Sequence, residues 1–327
     1  MTHDFIARAQ ERSADDAPYV PILIIGSGFA GLGAAIRLNR EGHRNFLVLE
    51  RGPGVGGTWR DNIYPGAACD VPSHLYSYSF ALNPRWTRSF SSQPEIENYL
   101  RGVAHDSGVL DRHIFGCRVE KARWDDHQHR WTVSTNQGEF HADVVIGAFG
   151  ALAEPTLPAT LSSTRFAGDV FHSARWDYDV DVTGKRVAVI GTGASAIQIV
   201  PAIADAAAQV DVYQRTPPWI LPRLDRSFTR LERWVFGKLP GAARLARAAI
   251  YAGRETQVIG LAKVPRLMKP VELMSRAKIW NEIRDPALRR KVTPNYRIGC
   301  KRMLISNDWY PTLGHNHVEL VTEPSRV

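Results

Sequence analysis

Three features of the 327-residue sequence predict an α/β chain with two parallel-sheet units and a helical insertion. Near the amino terminus an apolar run meets a glycine-rich turn and then a helical stretch. The same order returns in the middle of the chain, and a segment rich in Leu, Ala, Arg and Lys follows that second copy.

The first unit opens with Val20-Pro-Ile-Leu-Ile-Ile25, a short apolar run of the kind a parallel strand buried on both faces requires. Gly26-Ser-Gly28-Phe-Ala-Gly31 comes next. In this spacing Gly26 permits a tight turn, Gly28 lets a pyrophosphate approach the backbone, and Gly31 lets the helix expected over Leu32 to Glu41 pack on the strand. A second strand, Asn45 to Leu49, leads to Glu50, 24 positions after Gly26, where a carboxylate can accept hydrogen bonds from an adenosine ribose. Gly57, Thr58 and Trp59 add flexible backbone near the same place. Arg130 to Thr135 and Gly138 to Asp143 predict a hairpin around Asn136-Gln-Gly138, followed by the strand Val144-Val-Ile146.

The pattern returns as Lys185-Arg-Val-Ala-Val-Ile190 and then Gly191-Thr-Gly193-Ala-Ser195-Ala196, with alanine at the third small position. Its second strand, Gln209 to Tyr213, leads to Arg215 and Thr216. Arg215 stands at the same offset from Gly191 as Glu50 does from Gly26. An acid there favours a free ribose hydroxyl, whereas an arginine and a threonine hydroxyl favour a ribose phosphate. The two units therefore predict Rossmann-like domains, with FAD in the first and NADPH in the second. From Trp219 to Pro294 helical spacing predominates, and the basic faces there are expected to be solvated.

Composition bounds the remaining possibilities. Hydrophobic residues at 44% and charged residues at 23% fit a soluble globular protein, and the chain is long enough for about two domains of roughly 100 to 200 residues. The uncharged run Pro18 to Ile36 is broken by glycines and follows Asp15 and Asp16, which argues against a signal peptide. Cytoplasmic residence without stable membrane insertion is the expectation. Cys69, Cys117 and Cys300 have neither disulfide-framework nor zinc-site spacing, and Asp125-Asp-His-Gln-His129, His315 and His317 fit polar turns, so no metal is expected. The net charge of +8 comes without a nucleic-acid motif, which suggests attraction for phosphorylated cofactors instead of nucleic acid.

The stretch Phe166-Ala-Gly168-Asp-Val-Phe-His172-Ser-Ala-Arg-Trp176-Asp177 resembles the signature F-x-G-x-x-x-H-x-x-x-W-[P/D] of the type I Baeyer-Villiger monooxygenases, in the flavin-containing monooxygenase superfamily. In that family the segment joins the FAD and NADP domains, and here too it falls between the two glycine units. Tyr64-Pro-Gly66-Ala-Ala-Cys69-Asp70 is similar to the family segment that passes near the flavin. The resemblance implies that Asp70 is the active-site aspartate, that Lys301 joins Arg215 and Thr216 at the cofactor's phosphate, and that Arg302 is the catalytic arginine. It also implies an NADPH-dependent enzyme that inserts an oxygen atom from dioxygen next to a ketone carbonyl, giving an ester or lactone. An amine or sulfide oxygenase and a non-catalytic FAD- or NADP-binding remnant are the alternatives. Nothing in the sequence specifies an oligomer or a particular ketone.

The expected organisation is an FAD domain over 18–160, a linker over 161–182, the first part of the NADP domain over 183–218, a helical insertion over 219–298, and a return segment over 299–327. Members of the family continue past the point matching Val327. The expectation from that difference is a fragment or a natural truncation, binding FAD weakly and releasing hydrogen peroxide in place of an oxygenated ketone.

Overall fold

The computed structural model describes residues 17–157 and 166–323. These described residues divide into two compact units, one formed by 17–62 with 94–156 and the other by 63–93 with 157 and 166–323.

In the first unit, β1 (Ile22–Ile25), α1 (Phe29–Arg40) and β2 (Phe46–Glu50) form the expected strand-helix-strand. A short helix α2 (Thr58–Asp61) and a longer α3 (Gln93–Asp106) precede β3 (His113–Phe115), β4 (Val119–Asp125), β5 (Arg130–Thr135), β6 (Gly138–Ala142) and β7 (Val144–Gly147). The parallel sheet has the order β3-β2-β1-β7, with Ile22 opposite both Phe46 and Val144. All five residues of β2 are buried, which is why that strand reads as apolar with no alternation. Leu32, Ala35 and Ile36 of α1 are buried at helical spacing, so one face of the helix covers the sheet. The predicted hairpin is present as β5 and β6, and β4 extends it to an antiparallel meander in which Trp124 stands opposite Trp131.

The second unit repeats the order with β8 (Arg186–Ile190), α4 (Ala196–Ile203) and β9 (Gln209–Tyr213). Then follow β10 (Ile220–Leu221), α5 (Arg230–Lys238), α6 (Ala242–Ala262), α7 (Lys269–Glu282), α8 (Pro286–Val292), β11 (Leu304–Ile305), α9 (Trp309–Leu313) and β12 (Val318–Val321). The return segment supplies β12, which pairs in parallel with β9 from Val318↔Val210 to Val321↔Tyr213, giving the order β12-β9-β8. The helical stretch is not uniformly peripheral. Ile279 and Ile283, at the end of α7, and Val292 join the core formed by Ile197, Val200, Ile203, Val210, Val212, Trp309 and Leu320. A capping box starts α5, where Thr229 and Glu232 each satisfy the other's backbone N–H.

The segment 63–93, placed by the sequence within the first domain, groups with the second unit. Tyr64 packs there on the apolar core and His74 on Phe228 and Phe236, and hydrogen bonds add to these contacts. The Gln198 amide donates to the Ala68 carbonyl at 3.0 Å and accepts from the Tyr64 hydroxyl at 3.0 Å. Farther along, Ser89 N–H donates to the Arg226 carbonyl at 2.9 Å and Phe228 N–H to the Thr87 carbonyl at 2.8 Å.

Candidate functional site

In the first unit the turn after β1 is drawn onto the end of β2. Gly26 N–H donates to the Leu49 carbonyl at 2.8 Å, and at Gly31 a side chain would run into the Gly26 carbonyl. Gly28 stands at the N-cap of α1 with no side chain closing the helix end, so the first amides of α1 are presented as anion donors. Gly57, which precedes the turn Thr58–Asp61 containing Trp59, approaches Gly28 so closely that an added Cβ would come to 2.9 Å of the Gly28 Cα. The two glycine stretches thus form one backbone cradle, tied by Gly56 N–H to the Ser27 carbonyl at 2.9 Å.

Glu50 is buried, and three donors reach it: Ser27 N–H at 2.8 Å, Gly52 N–H at 2.7 Å and the Arg60 guanidinium at 2.9 Å. A carboxylate accepts about four hydrogen bonds, so one acceptor position is left. Burial alone would lower the Arg60 pKa, but the carboxylates of Asp61 and Glu50 outweigh it and raise it. Arg60 is a participant that sequence reasoning missed, since an arginine one turn past Gly56-Gly57 carries no distinguishing pattern.

In the second unit Gly191 N–H donates to the Tyr213 carbonyl at 2.9 Å, the counterpart of the Gly26 bond. A cavity of about 780 Å³ opens beside it, lined by Gly191, Gly193, Arg215, Thr216, Lys301 and Arg302 among others. Ser195 stands at the start of α4 with no side-chain hydrogen bond to the helix end, so no side chain closes this end either. Arg215 is exposed, whereas its neighbour Gln214 is buried, with its amide on the Lys291 carbonyl at 2.8 Å. The equal offsets of Glu50 and Arg215 therefore lead to different settings: the acid is folded inward and the base faces a cavity.

Arg302 donates to the carboxylate of Asp70, bringing together two residues 232 positions apart. Arg302 is 61% exposed and Asp70 28%, and such a pair contributes only about 0 to 1 kcal/mol to stability. Its effect is on the direction and field of the guanidinium. Tyr64 belongs to the same neighbourhood: burial pushes its hydroxyl pKa up, Ser195 and Arg302 oppose that shift, and Asp70 adds to it. Gln198 holds the segment from Tyr64 to Ala68 and was also missed, because nothing in the sequence pairs it with residues 130 and more positions earlier.

The signature residues have other surroundings. His172 accepts from Ala174 N–H at 3.0 Å and so caps a short 3-10 turn, while Trp176 packs on the core of the second unit and stands edge-on to Phe171 at 5.2 Å. Phe166, Gly168 and Asp177 are exposed, and the Asp177 carboxylate accepts from Asp179 N–H at 2.9 Å. Cys69, next to Asp70, is buried and its thiol is pushed up to about 12 by that burial. No cysteine is in a disulfide, and the low-pKa thiol that disulfide exchange requires is not found at Cys69.

The profile of the family described as pyridine nucleotide-disulphide oxidoreductase matches residues 23–260. A Baeyer-Villiger monooxygenase of Streptomyces coelicolor is 50% identical over 303 residues, covering 93% of this chain and 58% of that protein. Another Baeyer-Villiger monooxygenase, of Pseudomonas aeruginosa, is 45% identical over 322 residues, covering 98% of this chain and 61% of that protein. The chain thus spans about three-fifths of the length of these relatives. Among solved structures, an oxidized steroid monooxygenase bound to NADP aligns with a TM-score of 0.80 at 33% identity, covering 93% of this chain and 65% of that one. The chain belongs to the pyridine nucleotide-disulphide oxidoreductase family, within which it resembles the Baeyer-Villiger monooxygenases.

Proposed function

We propose that the chain carries the cofactor sites of an FAD- and NADPH-dependent monooxygenase that inserts oxygen next to a ketone carbonyl to give an ester or lactone. The observation that supports this most directly is that Arg302, oriented by Asp70, lines the same cavity as Arg215, Thr216 and Lys301.

The residues present fit both cofactors. The first unit offers a glycine cradle, an open helix end and a buried carboxylate with one acceptor position, as a dinucleotide with a free ribose hydroxyl needs. The second offers an open helix end and basic and hydroxyl donors, as a ribose phosphate needs. When bound, NADPH and FAD supply hydride transfer and the activation of dioxygen. The protein's own part is electrostatic. Arg302 stabilises the negative charge that develops on the ketone oxygen as oxygen adds, and Asp70 keeps the guanidinium aimed and limits its field. In this reading 18–160 is the FAD domain, although its stretch 63–93 groups with the second unit, 161–182 is the linker, 183–218 and 299–327 are the NADP domain, and 219–298 is the helical insertion. The substrate is a small ketone used with dioxygen. Among the described residues no helix is long and apolar enough to cross a membrane, and we propose that the protein works in the cytoplasm.

Arg215→Ala tests the assignment of the second site. Loss of a charge-assisted contact to the ribose phosphate should raise the KM for NADPH by about tenfold to a hundredfold and leave that for NADH nearly unchanged. Equal loss with both cofactors would remove the assignment.

A further inference from the structure

We infer that Tyr296 is a positioning residue that sets Lys301 in place for the ribose phosphate of the nicotinamide cofactor. This inference rests on the NADPH reading above. Lys301 is exposed, and a free lysine at a cavity wall must give up rotamer freedom to hold a ligand. Here its ammonium lies 4.9 Å from the centroid of the Tyr296 ring. The ring face attracts the cation from one side, and its N–H groups remain available on the other. Both residues line the cavity that Arg215 and Thr216 also line.

The ring is itself fixed, and by the same strand end that carries Arg215 and Thr216. The Tyr296 hydroxyl donates to the Pro217 carbonyl at 3.0 Å, while the Tyr296 carbonyl accepts from the Trp219 indole N–H at 3.0 Å. The two rings meet edge-on, 6.3 Å apart at 74°. Trp219 is fully buried with Met268 and Ile298, so the platform rests on core and not on a mobile loop. Between Tyr296 and Lys301 the chain reverses: Cys300 N–H donates to the Arg297 carbonyl at 3.2 Å, and Gly299 takes a φ of 93°, as the third position of a type II turn requires. That reversal returns Lys301 over the ring. Pro217 and Trp219 thus connect the position of Lys301 to that of Arg215 and Thr216, so that the three groups reach one phosphate together.

The test is calorimetric titration of the whole chain with adenosine 2′,5′-bisphosphate and with 5′-AMP, for the parent, Tyr296→Leu, Tyr296→Phe, Lys301→Met and the Tyr296→Leu/Lys301→Met pair. The parent should prefer the bisphosphate, and Lys301→Met should remove most of that preference. Tyr296→Leu should weaken bisphosphate binding by about two- to fivefold, the range expected of a partly exposed cation–π contact, with 5′-AMP unchanged as a control on folding. Tyr296→Phe, which keeps the ring, should lose less than Tyr296→Leu. In the Lys301→Met background the Tyr296→Leu change should add nothing. A Tyr296→Leu loss that is equal for both ligands, or that persists without Lys301, would overturn the role of Tyr296 while leaving the NADPH reading intact. A parent that binds both ligands equally would overturn the NADPH reading itself.

Discussion

Arg302 and Glu50 illustrate two different uses of charge, and substitution should separate them. Arg302 is well exposed and its pairing with Asp70 adds little stability, so Arg302→Ala should leave the fold and flavin binding unchanged, and still allow reduction by NADPH, yet abolish ester formation. Product formed at near the parent rate would assign the role to another group. Glu50, by contrast, is buried against Arg60 and two backbone amides. Glu50→Ala would leave Arg60 with Asp61 as its remaining carboxylate and would strand the buried Ser27 and Gly52 amides, and about 1 to 3 kcal/mol of stability should be lost in a denaturant titration. A loss below about 1 kcal/mol would contradict the buried pairing. Glu50 and Arg215 could be found in the sequence because each stands at or just past the end of a strand, at the same offset from a glycine. Arg60, Gln198 and Tyr296 could not, since their partners are set by packing between segments that no local period links.

Strands and helices with a strong local period were legible: β1, β2, β8, β9 and α1 fall within a few residues of their expected limits. The segment 63–93 was not, because its turn-rich backbone is held by Gln198, Arg223 and Arg226 and by scattered ring contacts such as Tyr64 on the core and His74 on Phe228, none of which follows a local period. The two glycine turns also differ in a way the motif predicts. A Cβ at Gly31 would collide with the Gly26 carbonyl, whereas Ala196 already occupies the matching place. Gly31→Ala should therefore reduce FAD content and melting temperature together, while Ala196→Gly should cost only the helix propensity difference of about 1 kcal/mol. Equal effects would show that the two turns are not packed differently.

A pH dependence belongs to the packing around His74, which is buried against Phe228 and Phe236 at ring separations of 5.1 and 4.3 Å. Burial lowers its pKa, with Glu232 opposing. Between that lowered value and the ordinary one near about 6.5, the unfolded chain binds a proton that the folded chain does not, so stability is complete above the window and falls as pH drops through it. The melting temperature should decline from pH 7 to pH 5, and His74→Phe should flatten that decline. An unchanged slope would remove His74 from the account.

Across the whole chain, two units built on one sequence pattern carry opposite charges at or just past the ends of their second strands, and the resemblance to Baeyer-Villiger monooxygenases extends over 93% and 98% of the chain in two relatives. The overall class was legible because a repeated glycine pattern and a linker signature are local in sequence, whereas the ketone's binding surface is not. The activity proposed for the chain is oxygen insertion next to a carbonyl with consumption of NADPH. The most direct measurement is mass analysis of products from a ketone panel incubated with the protein, FAD, NADPH and isotopically heavy dioxygen, both alone and with the carboxyl-terminal segment of a Baeyer-Villiger relative supplied in trans. Esters or lactones carrying one heavy oxygen are expected in at least one of these arms. Ketones left intact in both, while an amine or sulfide added to the same mixture is oxygenated, would contradict the proposed activity.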